Sequence, residues 1–348
     1  MRRVKIALLH VTKALGLFRL SKLLTKNGLR ILGYHGISLT DEHRFRPKLF
    51  MRPETFRGRL ALLARGDYPV LSLVDALAAM GRGELPSCAI VMTIDDGWYG
   101  AYKEALPALR ENGFPATVYV CSYYAVKETQ VFNVLVDYLF WRSTASSLDL
   151  SALECGLQGT CSLALADAAE RARVMRVIVA HGEKHCSAEQ RQALARSLAR
   201  LLGIDWSSIE RKGMFRLMTP GQIEREAKLG TDIQLHTHRH TLSLDTRAEV
   251  EREICDNRSA LEPLVRRELE HFCYPSGLYH PRIWPWLEEL GIQSATVTTA
   301  GFVYPGSPRF ALTRFLDGED VTSIEFEAEL CGVLELLRRL RAFVRDRD

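Results

Sequence analysis

The feature that most narrows the fold is the run Cys88-Ala-Ile-Val-Met-Thr-Ile94, apolar almost without a break and ended abruptly by Asp95-Asp96-Gly97. A sheet with one wet face alternates apolar and polar residues, whereas a strand covered on both faces reads as a continuous apolar run. The segment therefore predicts a buried strand of a parallel sheet or barrel, with carboxylates at its C-terminal end. Its sequel agrees: residues 100–112 read as a helix stopped by Gly113, and Pro115-Ala-Thr-Val-Tyr-Val-Cys121 reads as the next strand. That spacing is a βαβ pattern.

The alternation extends both ways. Leu29-Arg-Ile-Leu-Gly-Tyr-His35 and Val70-Leu-Ser-Leu73 read as short strands, with helices predicted over 53–66 and from a Ser72 cap through Met80. Residues 130–218 carry no strand pattern but two long helical ones, 164–179 and 187–202, the second opened by the capping box Ser187-Ala-Glu-Gln190. Regular alternation resumes at Thr219-Pro-Gly-Gln222, with strands at 232–235, 271–274 and 294–298, helices at 247–266 and 284–290, and one closing helix over 325–345. The expected class is α/β. The expected organisation is an N-terminal amphipathic helix (1–28), a β/α barrel (29–318) interrupted by a helical insertion (130–218), and a C-terminal helix (319–348).

Composition sets the class of protein. With 348 residues, 47% hydrophobic and 25% charged, the chain can bury a large core without disulfide staples. A net charge of +4 gives no ground for nucleic-acid binding. The eight cysteines form no C-x-x-C pair and several sit in apolar runs, which predicts reduced, structural thiols and a cytoplasmic protein. Residues 4–24 set Leu8, Leu9, Leu15, Leu17, Phe18 and Leu20 against lysines and arginines at helical spacing, with no secretory cleavage pattern and no membrane span. Such a helix can pack on its own domain, or lie on an anionic membrane surface at the inner face of the membrane.

The polar clusters fall where predicted strands end, the end at which barrels collect catalytic groups. Two adjacent carboxylates, Asp95 and Asp96, would repel each other and resist desolvation unless a cation relieved them; the bland alternative is an Asp-Asp-Gly turn. In His236-Thr-His-Arg-His240, residues i and i+4 converge in either a strand or a helical turn, whereas His238 joins them only if the segment stays extended. Two imidazoles and one carboxylate leave positions open for water and substrate, as catalytic zinc sites do; the alternative is a solvated histidine-rich loop. His35 closes another strand. Alone it reads as structural, and it gains weight because it would reach the same barrel mouth.

Together these motifs resemble the polysaccharide deacetylase family, whose NodB-homology domain is a distorted (β/α) barrel with fewer than eight repeats. Thr93-Ile94-Asp95-Asp96-Gly97 matches the family's Thr-(Phe/Tyr)-Asp-Asp-Gly, and His236-Thr237-His238-Arg239-His240 matches its His-(Ser/Thr)-x-x-His. The resemblance implies Asp95 as general base and Asp96, His236 and His240 as metal ligands. Phe272-Cys273-Tyr274-Pro275 stands at the family's Arg-x-Pro-(Tyr/Phe), with Cys273 in the arginine's place, so Arg314 is the candidate substitute for orienting the base. The family's late Leu-x-His motif is absent. Tyr34-His35-Gly36-Ile37 instead resembles the N-terminal strand of a circularly permuted branch acting on poly-N-acetylglucosamine, which implies His35 as general acid.

The implied activity is hydrolysis of an N-acetyl group from an amino-sugar polymer or lipid-linked glycan. Water would be activated at a divalent ion, zinc by default for these ligands, with cobalt or nickel as alternatives. The oxyanion is expected near Tyr274 and Ser276. Two rival readings are a hydrolase of a small cyclic amide or ureide, and a carbohydrate-binding protein that keeps the metal without turnover.

Overall fold

The computed structural model describes residues 2–149, 153, 163–165 and 167–345. Its centre is a sheet of eight parallel strands: β1 (Arg30–Tyr34), β2 (Val70–Leu71), β3 (Ile90–Ile94), β4 (Ala116–Val120), β5 (Asp232–Leu235), β6 (His271–Cys273), β7 (Ser294–Thr296) and β8 (Phe315–Leu316). The order is β7-β6-β5-β4-β3-β1-β8, with β2 paired to the start of β3. The two outer edges meet: Leu312 N–H donates to Ala295 O (2.9 Å) and Val297 N–H to Leu312 O (3.0 Å), so the approach to β8 hydrogen-bonds along β7. This is the distorted barrel expected from the alternation.

Period-2 geometry sorts each strand into an outward and an inward row. On β3, Ile90, Met92 and Ile94 join the large cluster that packs against the surrounding helices. Val91 joins a smaller inner cluster with Ile31, Tyr119 and Cys273, and Thr93 and Asp95 continue that row. All five residues of β3 are buried, as its apolar run requires. Gly33 allows β1 and β8 to close: a Cβ there would collide with the Leu316 side chain.

The helix signals held at Ser72, Ser187 and Thr219, each of whose hydroxyls accepts the backbone N–H three residues on. Five expectations need correction. The N-terminal helix is two, Arg2–Ala14 and Leu17–Leu24, broken at Gly16 (φ 76°). The C-terminal helix is also two, Ser323–Leu330 and Val333–Arg345, broken at Gly332 (φ 84°), where a Cβ would strike Thr25. The helix over 100–112 starts as a π-turn, Ala101–Ala105, before Leu106–Glu111; Pro107 has no N–H to continue the tighter ladder backwards. The 130–218 segment holds a small antiparallel pair, Ser147–Leu148 with Leu163–Ala164, and opens with the helix Phe132–Arg142, whose apolar residues are buried nearly all round and so lack an amphipathic signature. The helix expected from 164 starts at Ala168, capped by Asp167.

Helix Arg2–Ala14 packs on its own domain through Leu9, which joins Phe18, Ile324, Ala328, Cys331 and Val333 in one buried cluster. Lys5 and Lys13 pair with Glu325 and Glu327 at 3.1 and 2.6 Å. Among the described residues Cys88, Cys121, Cys255, Cys273 and Cys331 are free thiols; Cys155 and Cys161 lie outside the described residues.

Candidate active site

The turn after β3 aims two carboxylates in different directions. Asp95 N–H donates to Tyr34 O (2.8 Å), continuing the β1–β3 ladder and placing its side chain on the inward row. Asp96 follows at φ 69° and Gly97 at φ 82°. A left-handed aspartate costs backbone strain, and here it swings the second carboxylate away from the first.

Asp95 is buried, and its partner is Arg314. The guanidinium donates from Nη1 to Asp95 Oδ1 at 2.7 Å and from Nη2 to Oδ2 at 2.8 Å, with neither side chain more than 3% exposed. Three further contacts hold the fork: Nη1 to Thr93 Oγ1 (3.0 Å), Nε to Val297 O (3.1 Å) and Nη2 to Cys273 Sγ (3.1 Å). Arg314 thus reaches Asp95 from β8's approach, past a cysteine small enough to admit it. Burial pushes the Asp95 pKa up, but the Arg314 charge and hydrogen bonds outweigh it and hold the carboxyl below its usual range. His35 Nε2 stands 3.6 Å from Asp95 Oδ2, and His35 Nδ1 has no hydrogen-bond partner among the described residues.

Asp96 faces the histidine pair. Its Oδ1 lies 3.1 Å from His236 Nε2 and 3.3 Å from His240 Nε2, and its Oδ2 accepts from Trp98 Nε1 at 2.7 Å. Burial again pushes upward, and the hydrogen bonds from His236 and His240 hold Asp96 well below the ordinary range. The imidazoles converge because Thr237 (φ 62°) and His240 (φ 56°) turn the chain back just after β5, bringing the two ring centroids to 5.0 Å. His238 does not join them: its Nδ1 bonds Ser122 Oγ (2.8 Å) and its ring packs on Tyr123.

The donors of Asp96, His236 and His240 lie within 4.8 Å of one another and suit a divalent cation. His236 Nδ1–H can donate to Cys273 O (2.7 Å), which leaves the Nε2 lone pair for a ligand, and Trp98 fixes the carboxylate. A second cluster, Asp95 with His236 and Cys273, is a poorer set because Arg314 already occupies both Asp95 oxygens and the sulfur.

Tyr274 is not at the mouth. Its phenol donates to Phe310 O (2.9 Å) and its N–H to Thr296 O (3.3 Å), so it packs the barrel wall and neither donor is free for an oxyanion. Ser276 is exposed at φ 57° in the loop beyond it. Two supporting residues escaped the sequence reading. Trp98 sits directly after the aspartate motif, a signal available from position alone. Asn257, fully buried in mid-helix, accepts from His236 N–H (2.9 Å) and donates to Val120 O and Ser122 Oγ; no sequence signal marked it.

The strand ends of the barrel thus gather an arginine-held carboxylate, a second carboxylate and paired imidazoles in one place. The family model of polysaccharide deacetylases matches residues 82–143 and 191–295. Among solved structures, the chain is similar to a Streptococcus pyogenes deacetylase, PplD, in complex with acetate (16% identity, TM-score 0.57, 88% of this chain and 99% of that one). It is also similar to IcaB from Ammonifex degensii (16%, 0.54, 88% and 97%) and to a de-N-acetylase from Aggregatibacter actinomycetemcomitans (12%, 0.53, 86% and 99%). At these identities the likeness is one of fold. No curated protein sequence matches the chain. Residues 82–143 and 191–295, just under half of the chain, thus match the polysaccharide deacetylase family.

Proposed function

We propose that the protein removes N-acetyl groups from an amino-sugar polymer or a lipid-linked glycan, with Asp95 as general base, His35 as general acid, and Asp96, His236 and His240 as ligands of a divalent ion, zinc by default. One juxtaposition carries this reading: a carboxylate held by an arginine fork and faced by His35, next to a two-histidine, one-carboxylate donor set. An ion held there supplies Lewis-acid polarisation of the amide carbonyl.

The chain's own groups account for the proton movements. Asp95, kept ionised by Arg314, accepts the proton of the attacking water. His35, in its protonated form, donates to the departing sugar nitrogen, which would otherwise leave as a poor anion. Arg314 reaches Asp95 from outside the family's usual motif, so the cysteine at position 273 does not argue for a protein without turnover.

Acetate release from N-acetylated chito-oligomers, with and without chelator, tests the reading. Release that stops on chelation and returns with zinc supports it. A chain that binds zinc stoichiometrically yet frees no acetate from any N-acetylated sugar overturns it.

A further inference from the structure

The two ends of the chain build one surface. Helix Arg2–Ala14 turns Leu9 inward, yet Val4, Leu8, Val11 and Leu15 recur at spacings of four, three and four and stand 71, 62, 53 and 70% exposed. Leu20 and Leu24 continue the stripe on the next helix, at 50 and 61%. The helix Val333–Arg345 packs against that helix and adds Leu337, Leu340 and Val344, at 43, 59 and 51%. Helical spacing on the outer face is the mark of an apolar stripe with a partner, and folding of this domain does not use it.

The charge around the stripe says what the partner is. Residues 1–28 contain seven lysines and arginines and no acidic residue; the first acid is Asp41. Lys5 and Lys13 are held by acids of the domain, whereas Arg3, Arg19, Lys26 and Arg341 are exposed and make no ion pair among the described residues. Among the described residues no helix is long and apolar enough to cross a membrane. Apolar stripes flanked by unpaired cations suit helices lying in the headgroup region of an anionic bilayer.

We propose that helices 2–14, 17–24 and 333–345 form a composite docking surface for an anionic phospholipid bilayer. The C-terminal helix is an integral part of it, so the surface exists only in the folded domain. Arg2 and Lys5 bind Asp320 O, in the loop after β8, and Glu325 on the helix Ser323–Leu330, and so fasten the platform to the segment that follows Arg314 and β8. This inference stands apart from the catalytic reading.

The test is co-sedimentation of the full chain with vesicles of phosphatidylcholine alone or with a quarter phosphatidylglycerol. Three proteins are compared: the parent, a Leu8→Asp/Leu20→Asp variant and a separate Leu340→Asp variant. These leucines are half or more exposed, and unchanged thermal melts will show that the fold is kept. Expected are binding to the anionic vesicles only, weakening with salt, and at least about tenfold weaker binding for Leu340→Asp alone. Equal binding to neutral vesicles, no binding to anionic ones, or an unaltered Leu340→Asp variant would each overturn the proposal. Concentration-dependent dimerisation abolished by Leu8→Asp/Leu20→Asp, without vesicle binding, would overturn it too and assign the face to a second copy.

Discussion

Replacing Arg314 by methionine would test the site where it departs most from the family's motif. The guanidinium is fully buried and donates two short hydrogen bonds to Asp95, so the change leaves a carboxylate with its desolvation uncompensated. Breaking a buried pair from one side costs about 3–5 kcal/mol. Unfolding entropy near 2.1 cal/mol/K per residue, over this length, gives roughly 0.7 kcal/mol/K, so the melting temperature should fall by roughly 4–7 °C. With the arginine gone, burial pushes the Asp95 pKa up against only the lesser pull of His35 and His236, and it rises. The acid limb of the rate profile for acetate release should therefore move to higher pH, with activity at neutral pH down about 10–100-fold and partly recovered in alkali. Arg314→Lys keeps the charge but not the fork, and should fall between. A methionine variant that melts with the parent and keeps its acid limb would refute the idea that Arg314 holds the base.

Asp95→Asn keeps the three donors intact, so zinc content by elemental analysis should stay near the parent's while acetate release falls about 10²–10⁴-fold; His236→Ala should lose both. His35→Ala should slow turnover about 10²-fold or more at unchanged zinc content, and an unchanged rate would return His35 to a structural role. Glu325 is held down to about 2: burial pushes it up, but Thr322 and Lys5 outweigh this. A depressed carboxyl stabilises the fold above its unfolded pKa and loses that contribution as pH falls through the folded one. Glu325→Gln should thus lower the melting temperature at pH 7, with the gap to the parent closing between about pH 4.5 and 2. Gly100→Ala would drive a methyl into the Ile37 carbonyl, and urea titration should show a loss of about 1–3 kcal/mol.

The parts legible in the sequence share one property: their signal is local. The strand 90–94 announced itself because burial on both faces forces a continuous apolar run, and the capping boxes at Ser187 and Thr219 because two side chains three residues apart satisfy each other's backbone. His236 and His240 could be paired from spacing alone. What stayed hidden depends on distant partners. Gly16 and Gly332 lie inside runs that read as single helices; Gly332 breaks its helix where Thr25, about three hundred residues earlier, allows no side chain. Tyr274 stood beside the third motif and seemed to face substrate, yet the Phe310 carbonyl takes its hydroxyl. Asn257 reads as an unfavourable mid-helix residue until the backbone of His236 is placed against it.

Barrel closure explains how a site can be assembled from residues outside the recognisable motifs. The stretches that match the family model carry Asp95, Asp96, His236 and His240 but neither His35 nor Arg314. Those two are 279 positions apart in the chain, yet β1 lies between β3 and β8 in the sheet, so both flank the end of β3 where Asp95 sits. In a ring of parallel strands the mouth is reached equally from any strand, and which strand supplies an arginine matters less than whether the inward row has room for it. Cys273 provides that room. An arginine at 273 would point into the space that the Arg314 guanidinium fills at 3.1 Å from the sulfur, and two buried cations would then compete for one carboxylate. Cysteine at 273 and arginine at 314 are thus one arrangement rather than a loss and an accident. Cys273→Arg in the Arg314 background should cripple the enzyme, whereas Cys273→Arg combined with Arg314→Met should recover part of the activity that either change alone removes.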